Sequence, residues 1–148
     1  MISRMNSSKV IGLVALAEKP GLGEALRIMR RELFRHGLGS CVIETPDALE
    51  RAIGRCGMLV TFGGDGTMLT VSSLAAMHRV PLAGVNLGRL GFMTTCSVQE
   101  LPLLAYALQE GSYLTDERSM LEVVRVGGDG VAAPPRKLAL NEVSLIRA

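Results

Sequence analysis

Aromatic residues are scarce in this sequence: they make up 3% of its 148 residues, and tryptophan is absent. Its 16 lysine and arginine residues are scattered, and 14 acidic residues leave a net charge of only +2. Nucleic-acid-binding proteins usually combine clustered basic side chains with aromatic ones, so we expect no nucleic-acid partner. A long apolar run is also lacking, because none approaches the roughly 18 residues typical of a membrane-spanning helix, and we expect no membrane partner.

Cysteine is sparse as well. Cys41, Cys56 and Cys96 are an odd number of residues at wide spacing, and no CxxC pair occurs. This pattern argues against a zinc site and indicates reduced thiols in a cytoplasmic protein.

The N-terminal region shows some features of a signal peptide, since Arg4 and Lys9 precede the apolar stretch VIGLVALA. That stretch is short, however, and the following segment EKPGLGEALRIMRREL has the pattern of a loop and a helix. We therefore predict a buried first strand.

What the chain does contain is 48% hydrophobic residues in an alternating pattern. Short apolar runs predict strands at 10–15, 42–43, 58–62 and 81–85. Helical spacing and capping signals predict helices at 25–34, 46–53, 68–77 and 98–109. We therefore expect an α/β fold over residues 1–112, with an open, mostly parallel sheet and helices on both faces. Residues 113–148 contain strand patterns without helices and predict the beginning of a β-rich domain.

The segment VTFGGDGTMLT, residues 60–70, combines glycines with a carboxylate between a strand and a helix that we expect to begin near Thr67. Gly63, Gly64 and Gly66 would expose backbone N–H groups, and a helix start adds partial positive charge, so the segment predicts a phosphate cradle. It lacks the spacing of a P-loop and of a dinucleotide fingerprint. Asp65 suits such a site if the phosphates arrive with Mg²⁺, or if a hydroxyl must lose its proton.

The alternative interpretation of this segment is a plain glycine turn. A second GGDG at 127–130 illustrates it, because prolines follow soon afterwards and no helix can begin there. We predict a hairpin turn without chemistry at that copy.

Three segments in the same order, GGDGTML, PLAGVNLGRLGFMT and LALNEVSL, resemble the ATP-NAD kinases. These enzymes phosphorylate the adenosine ribose 2′-hydroxyl of NAD to give NADP, so the resemblance implies NAD and ATP, or another phosphate donor, as partners and Mg²⁺ as cofactor. Diacylglycerol and sphingosine kinases share a similar GGDGT loop, and phosphofructokinases a similar GGDG loop. The later motifs of the lipid kinases and the N-terminal ATP loop of the phosphofructokinases match this sequence poorly.

The resemblance also implies roles for individual residues. Asp65 corresponds to a proton acceptor or a carboxylate that organises the metal, and Gly66 to a residue that approaches the nucleotide. Further implied roles are apolar contacts to adenine for Leu69 and Phe92, binding of dinucleotide base and ribose for Asn141 and Glu142, phosphate or loop positions for Gly63, Gly64 and Thr67, and the shape of a second loop for Asn86, Gly88 and Gly91.

The Asn141–Glu142 pair stands out independently of the resemblance. Leu138 and Leu140 alternate on even positions, whereas Val143 and Leu145 alternate on odd ones. Such a change of register predicts a bulge or bend at the pair, or a solvated turn at a strand edge.

The resembling family has a larger β-rich C-terminal part, and this sequence ends at Ala148 within a predicted strand. We therefore expect a fragment that is inactive by itself, from an enzyme that is a homo-oligomer at full length. The alternatives are a catalytically inactive nucleotide-binding or interaction module, or a relative of the diacylglycerol and sphingosine kinases.

Overall fold

The structure is a computed structural model, and it describes residues 10–88, 91–126 and 132–143, with 132–136 in backbone only. Five strands form one parallel sheet in the order β2-β1-β3-β4-β5. Their bounds are β1 Val10–Val14, β2 Ser40–Ile43, β3 Cys56–Gly63, β4 Leu82–Asn86 and β5 Cys96–Ser97.

Four helices cover the two faces of this sheet: α1 Leu22–Arg35, α2 Pro46–Ala52, α3 Asp65–His78 and α4 Leu101–Glu110. Helices α1 and α4 pack on the face that carries Leu13, Val60 and Val85. Helices α2 and α3 pack on the opposite face, against Val14 and Leu59. Because both faces are buried, the central strands are almost continuously apolar, as parallel strands between two helical layers usually are.

Two further strands, β6 Leu121–Val126 and β7 Ala132–Ala139, form an antiparallel pair. The predicted α/β sheet followed by the start of a β-rich part is therefore confirmed. The second GGDG, at 127–130, lies outside the described residues.

The capping signals in the sequence are confirmed. The Thr45 hydroxyl accepts a hydrogen bond from the Ala48 N–H, and Pro46 is the first residue of α2. Ser97 and Glu100 form the predicted capping box, with the Ser97 N–H 2.8 Å from a Glu100 carboxylate oxygen. A 3₁₀ turn over 98–100 separates this box from α4, so α4 begins later than the box predicts.

The start of α3 and the short strand β5 differ from the prediction. Helix α3 begins at Asp65 rather than near Thr67, because extended Gly64 serves as the N-cap and a carboxylate in the first turn is favourable there. The sequence pattern also missed β5, whose two residues are too few to show strand periodicity.

No disulfide joins the three cysteines, all of which lie in the described ranges. Burial raises the pKa of the Cys96 thiol to about 11, so this thiol is protonated at neutral pH. Among the described residues, no helix is long and apolar enough to cross a membrane.

Candidate active site

The candidate site lies at the carboxyl edge of the parallel sheet. The strand order reverses between β1 and β3, and ligands of open α/β sheets bind in the crevice outside such a reversal. Gly63 ends β3 and is paired with Asn86, which ends the neighbouring strand β4. The GGDG loop and the loop after β4 therefore leave the sheet side by side.

The glycines of the first loop have different surroundings. Gly63 is buried, and a Cβ at this position would collide with the Thr67 hydroxyl and lie 3.0 Å from the Thr67 Cβ. Gly64 and Gly66 have open space on the side where a Cβ would project. Gly63 is therefore required for packing, whereas the backbone at Gly64 and Gly66 is accessible to a ligand.

The N-terminus of α3 is also accessible to a ligand. The first N–H groups of any α-helix lack an acceptor within the helix, and no side chain caps those of α3. Together with the helix dipole, they form a positively polarised surface beside Gly64 and Gly66.

Asp65, the first residue of α3, turns its carboxylate to the second loop. One carboxylate oxygen accepts a hydrogen bond from the Met93 N–H and the other from the Phe92 N–H, each at 2.9 Å. The N–H groups of Met93 and Phe92, with a smaller effect of the Thr94 N–H, hold the pKa of the Asp65 carboxyl below its ordinary value despite partial desolvation. Asp65 is therefore an anion at neutral pH.

The second loop is shaped by short polar contacts. The Asn86 side-chain oxygen accepts a hydrogen bond from the Gly88 N–H at 2.9 Å, and Asn86 itself is buried. Farther along, the Thr94 hydroxyl accepts a hydrogen bond from the Gly91 N–H at 3.3 Å. A Cβ on Gly91 would lie 2.7 Å from the Asp65 carboxyl carbon, so the close approach of the two loops requires glycine.

The structure thus brings together most of the residues that the sequence assigned to the site: Gly63, Gly64, Asp65, Gly66, Thr67, Asn86, Gly88, Gly91 and Phe92. The Phe92 side chain is fully exposed. Leu69 is half-buried in the second turn of α3.

Asn141 and Glu142 are placed differently. Strand β7 ends at Ala139 and the chain bends at Leu140 and Asn141, in agreement with the change of register. Both polar side chains are exposed, and within the described residues neither forms a hydrogen bond with the two loops. The hairpin is attached to α3 instead, since the Ser73 hydroxyl donates to the Leu138 carbonyl oxygen at 2.7 Å.

Two contributors to the site were missed by the sequence reasoning. Gly84 and Thr94 pack against each other beneath the second loop. Thr94 belongs to the segment PLAGVNLGRLGFMT, but the pattern gives no sign that its hydroxyl and backbone hold the loop.

The described residues contain no group of three or more His, Cys, Asp or Glu side chains that could hold a metal ion. Mg²⁺ in phosphoryl-transfer sites is commonly bound by one or two carboxylates together with substrate phosphates. The single ionised Asp65 beside an open helix start suits that mode of binding.

Residues 14–113 match the model of the ATP-NAD kinase N-terminal domain. The chain belongs to this family. The resemblance seen in the sequence is thereby confirmed.

Individual relatives agree with this assignment. The NAD kinase of Laribacter hongkongensis is 36% identical over 152 residues, which cover 94% of this chain and 51% of that protein. The NAD kinase of Chromobacterium violaceum is 35% identical, with the same coverage of both proteins. The chain therefore spans about half the length of these curated relatives.

A solved structure supports the fold. Yeast NADH kinase complexed with NADH has a TM-score of 0.73 and 21% sequence identity, covering 90% of this chain and 45% of that one. At this identity the likeness shows a shared fold.

Proposed function

We propose that the protein phosphorylates the 2′-hydroxyl of the adenosine ribose of NAD, with ATP as phosphate donor, to give NADP. The observation that carries the proposal is the ionised Asp65 carboxylate, placed between an open helix start and a loop of backbone N–H donors. The family assignment and the relatives named NAD kinase support the choice of substrate.

In this proposal the exposed backbone of Gly64 and Gly66, together with the first N–H groups of α3, binds phosphate oxygens. Such donors are already aligned before the ligand arrives. They would therefore stabilise the negative charge that spreads over the transferred phosphoryl group.

Asp65 would orient the ribose hydroxyl. Its lowered pKa makes it a weak base in the free protein, but each carboxylate oxygen has lone pairs beyond the one used by a backbone N–H. We propose that Asp65 accepts a hydrogen bond from the hydroxyl and receives its proton as the ribose oxygen bonds to the γ-phosphorus of ATP and the bond from that phosphorus to the oxygen of the departing ADP breaks.

Mg²⁺ would be held by the nucleotide phosphates, with Asp65 as the contribution of this chain. When bound, it would neutralise charge on the phosphates. The exposed Phe92 ring and half-buried Leu69 would contact adenine, and Asn141 with Glu142 would bind base and ribose groups.

Further properties belong to the same proposal. We propose a division into an α/β domain at 1–112 and the start of a β-rich domain at 113–148, supported by the end of α4 at Glu110 and the antiparallel pairing of β6 with β7. A cytoplasmic location is proposed on the cysteine pattern, and a homo-oligomeric whole protein on the family resemblance.

The test measures NADP formation from NAD, ATP and Mg²⁺ by the full-length protein, with diacylglycerol, sphingosine and fructose 6-phosphate as rival acceptors. Binding of NAD and ATP is followed in parallel by amide NMR shifts in 63–67 and 91–95. Phosphorylation of NAD, with none of the rival acceptors phosphorylated, supports the proposal. Turnover of a rival acceptor without NADP formation rejects it, and binding of both nucleotides without turnover favours a nucleotide-binding module.

A further inference from the structure

The second loop rests on a glycine of the neighbouring strand. A Cβ at Gly84 in β4 would lie 3.0 Å from the Thr94 Cα and 3.2 Å from the Thr94 Cγ2. The first of these atoms belongs to the backbone and cannot rotate away. The Thr95 N–H also donates to the Gly84 carbonyl oxygen at 2.9 Å. The loop can therefore return this close to β4 only because residue 84 has no side chain.

Thr94 connects that contact to the site. Only 8% of its surface is exposed, and its hydroxyl oxygen accepts the hydrogen bond from the Gly91 N–H at 3.3 Å. Its own N–H lies next to those of Phe92 and Met93, and all three interact with the Asp65 carboxylate. Thr94 thus contacts Gly84 in β4, the Gly91 N–H at the start of the loop and the Asp65 carboxylate.

We propose that Thr94, packed against the bare backbone of Gly84, is a positioning residue that holds the 91–94 loop in the shape that fixes the Asp65 carboxylate. Neither residue touches a reacting atom, and both act through Asp65. The consequence for turnover rests on the proposed function, whereas the consequence for Asp65 itself does not.

The expected effect follows from the donors around the carboxylate. Among the described residues, the groups that stabilise its charge are backbone N–H groups, and no charged side chain contributes. If the loop opens, these donors move away from the carboxylate and their hydrogen bonds to it are lost. The Phe92 and Met93 amide groups therefore report the shape of the loop directly.

The experiment compares the NMR signals and the hydrogen exchange of the Phe92 and Met93 amide groups in the 148-residue chain and in four variants. Thr94→Val removes the hydroxyl acceptor at nearly constant volume, and Gly84→Ala places a Cβ against the Thr94 backbone. Thr94→Ser keeps the hydroxyl as a matched control. Gly54→Ala is the second control, because a Cβ there meets nothing within 4 Å.

We expect Thr94→Val and Gly84→Ala to shift the Phe92 and Met93 amide signals and to speed their hydrogen exchange, and both controls to leave them unchanged. Amide signals of β1 and β3 show whether each variant is folded. If Gly84→Ala does not fold, Thr94→Val decides alone. Unchanged hydrogen exchange of the Phe92 and Met93 amides in folded Thr94→Val overturns the proposal, and so does an equal change in Thr94→Ser.

Turnover gives a separate readout. Where the parent protein forms NADP, Thr94→Val should lower kcat by about tenfold, with a smaller change in KM for NAD, as expected for a misaligned reacting geometry. A full-length parent protein that forms no NADP, while the loop amides of Thr94→Val change as expected, rejects the proposed function and leaves the role of Thr94 standing.

Discussion

Replacing Gly91 with alanine should displace the Asp65 carboxylate while leaving the fold intact. Gly91 does not have a positive φ angle, so an alanine can adopt its backbone conformation. The obstacle is the side chain of Asp65, whose carboxyl carbon would lie 2.7 Å from the new Cβ and whose Oδ2 would lie 2.9 Å from it. Because the carboxylate can rotate, it is expected to move and the sheet is not.

The magnitude can be worked out from these distances. Non-bonded carbon atoms prefer separations of about 3.5–4.0 Å, so relief of the 2.7 Å contact requires a movement of about 1 Å. A movement of that size breaks at least one of the 2.9 Å hydrogen bonds to the Phe92 and Met93 N–H groups. Misplacement of a reacting group by about 1 Å can reduce turnover about 10²-fold.

The assay compares kcat for NADP formation, thermal stability and the Phe92 and Met93 amide shifts in Gly91→Ala and in Gly54→Ala. We expect kcat to fall about 10²-fold in Gly91→Ala alone, with both amide signals shifted and stability nearly unchanged. Combination with Asp65→Asn should add little further loss, since both changes act on one group. If Gly91→Ala folds, keeps full turnover and leaves the Phe92 and Met93 amide signals unshifted, the argument that Gly91 makes room for the Asp65 carboxylate is refuted.

Four further outcomes are expected. Asp65→Asn keeps the size of the side chain but removes its charge, and should lower kcat at least about 10²-fold while NAD still binds. Because the pKa of Asp65 is lowered, its hydrogen bonds to the loop should persist as pH falls through the ordinary aspartate range and be lost only below it, as the loop amide shifts can show. Ser73→Ala removes the hydroxyl that holds Leu138, and should weaken NAD binding by up to about tenfold with little change in kcat. Gly12→Ala should lower the free energy of unfolding in urea by about 1–3 kcal/mol, because its Cβ would meet core side chains of neighbouring elements at 2.5–3.1 Å.

Each of these expectations has a result that contradicts it. Near-normal turnover in folded Asp65→Asn would mean that Asp65 takes no part in the chemistry. Loss of the hydrogen bonds from the Phe92 and Met93 N–H groups at a pH above the ordinary aspartate pKa would contradict their stabilisation of the carboxylate. Ser72→Ala is the control for Ser73, since the Ser72 hydroxyl bonds only within α3. Equal effects of the two serine changes on NAD binding would mean that the Ser73–Leu138 bond does not place the hairpin. For Gly12, a change no larger than that of Gly54→Ala would contradict the packing argument.

Much of the fold could be predicted from local signals. Thr45 with Pro46, and Ser97 with Glu100, mark helix starts through contacts three residues apart, which the sequence displays directly. Alternation of apolar strands with amphipathic helices likewise fixed the α/β class, because each segment has to bury its own apolar side.

The parts that could not be predicted depend on contacts that follow no period. Thr94 meets Gly84 across ten residues, and Asp65 meets Met93 across 28. The sequence around a hydroxyl or a glycine does not indicate which distant residue it will contact. The same applies to Asn141 and Glu142, whose register change predicted a bend but gave no distance to Asp65.

These contacts explain why a carboxylate stands where backbone N–H groups attract anions. The N–H groups of Phe92 and Met93 are occupied by Asp65, a permanent part of the chain, so the two loops are held together before any ligand binds. No side chain caps the start of α3, and because the Thr67 N–H already donates to the Gly64 carbonyl oxygen at 3.0 Å, the N–H groups of 64–66 are the ones that can receive phosphate. One set of N–H donors is thus used by Asp65 and a second set is left for a ligand. The site is therefore preorganised without being blocked. In such an arrangement the negative charge of Asp65 also disfavours phosphate that arrives without a cation, so the site should select nucleotides in their Mg²⁺-bound form over the metal-free form.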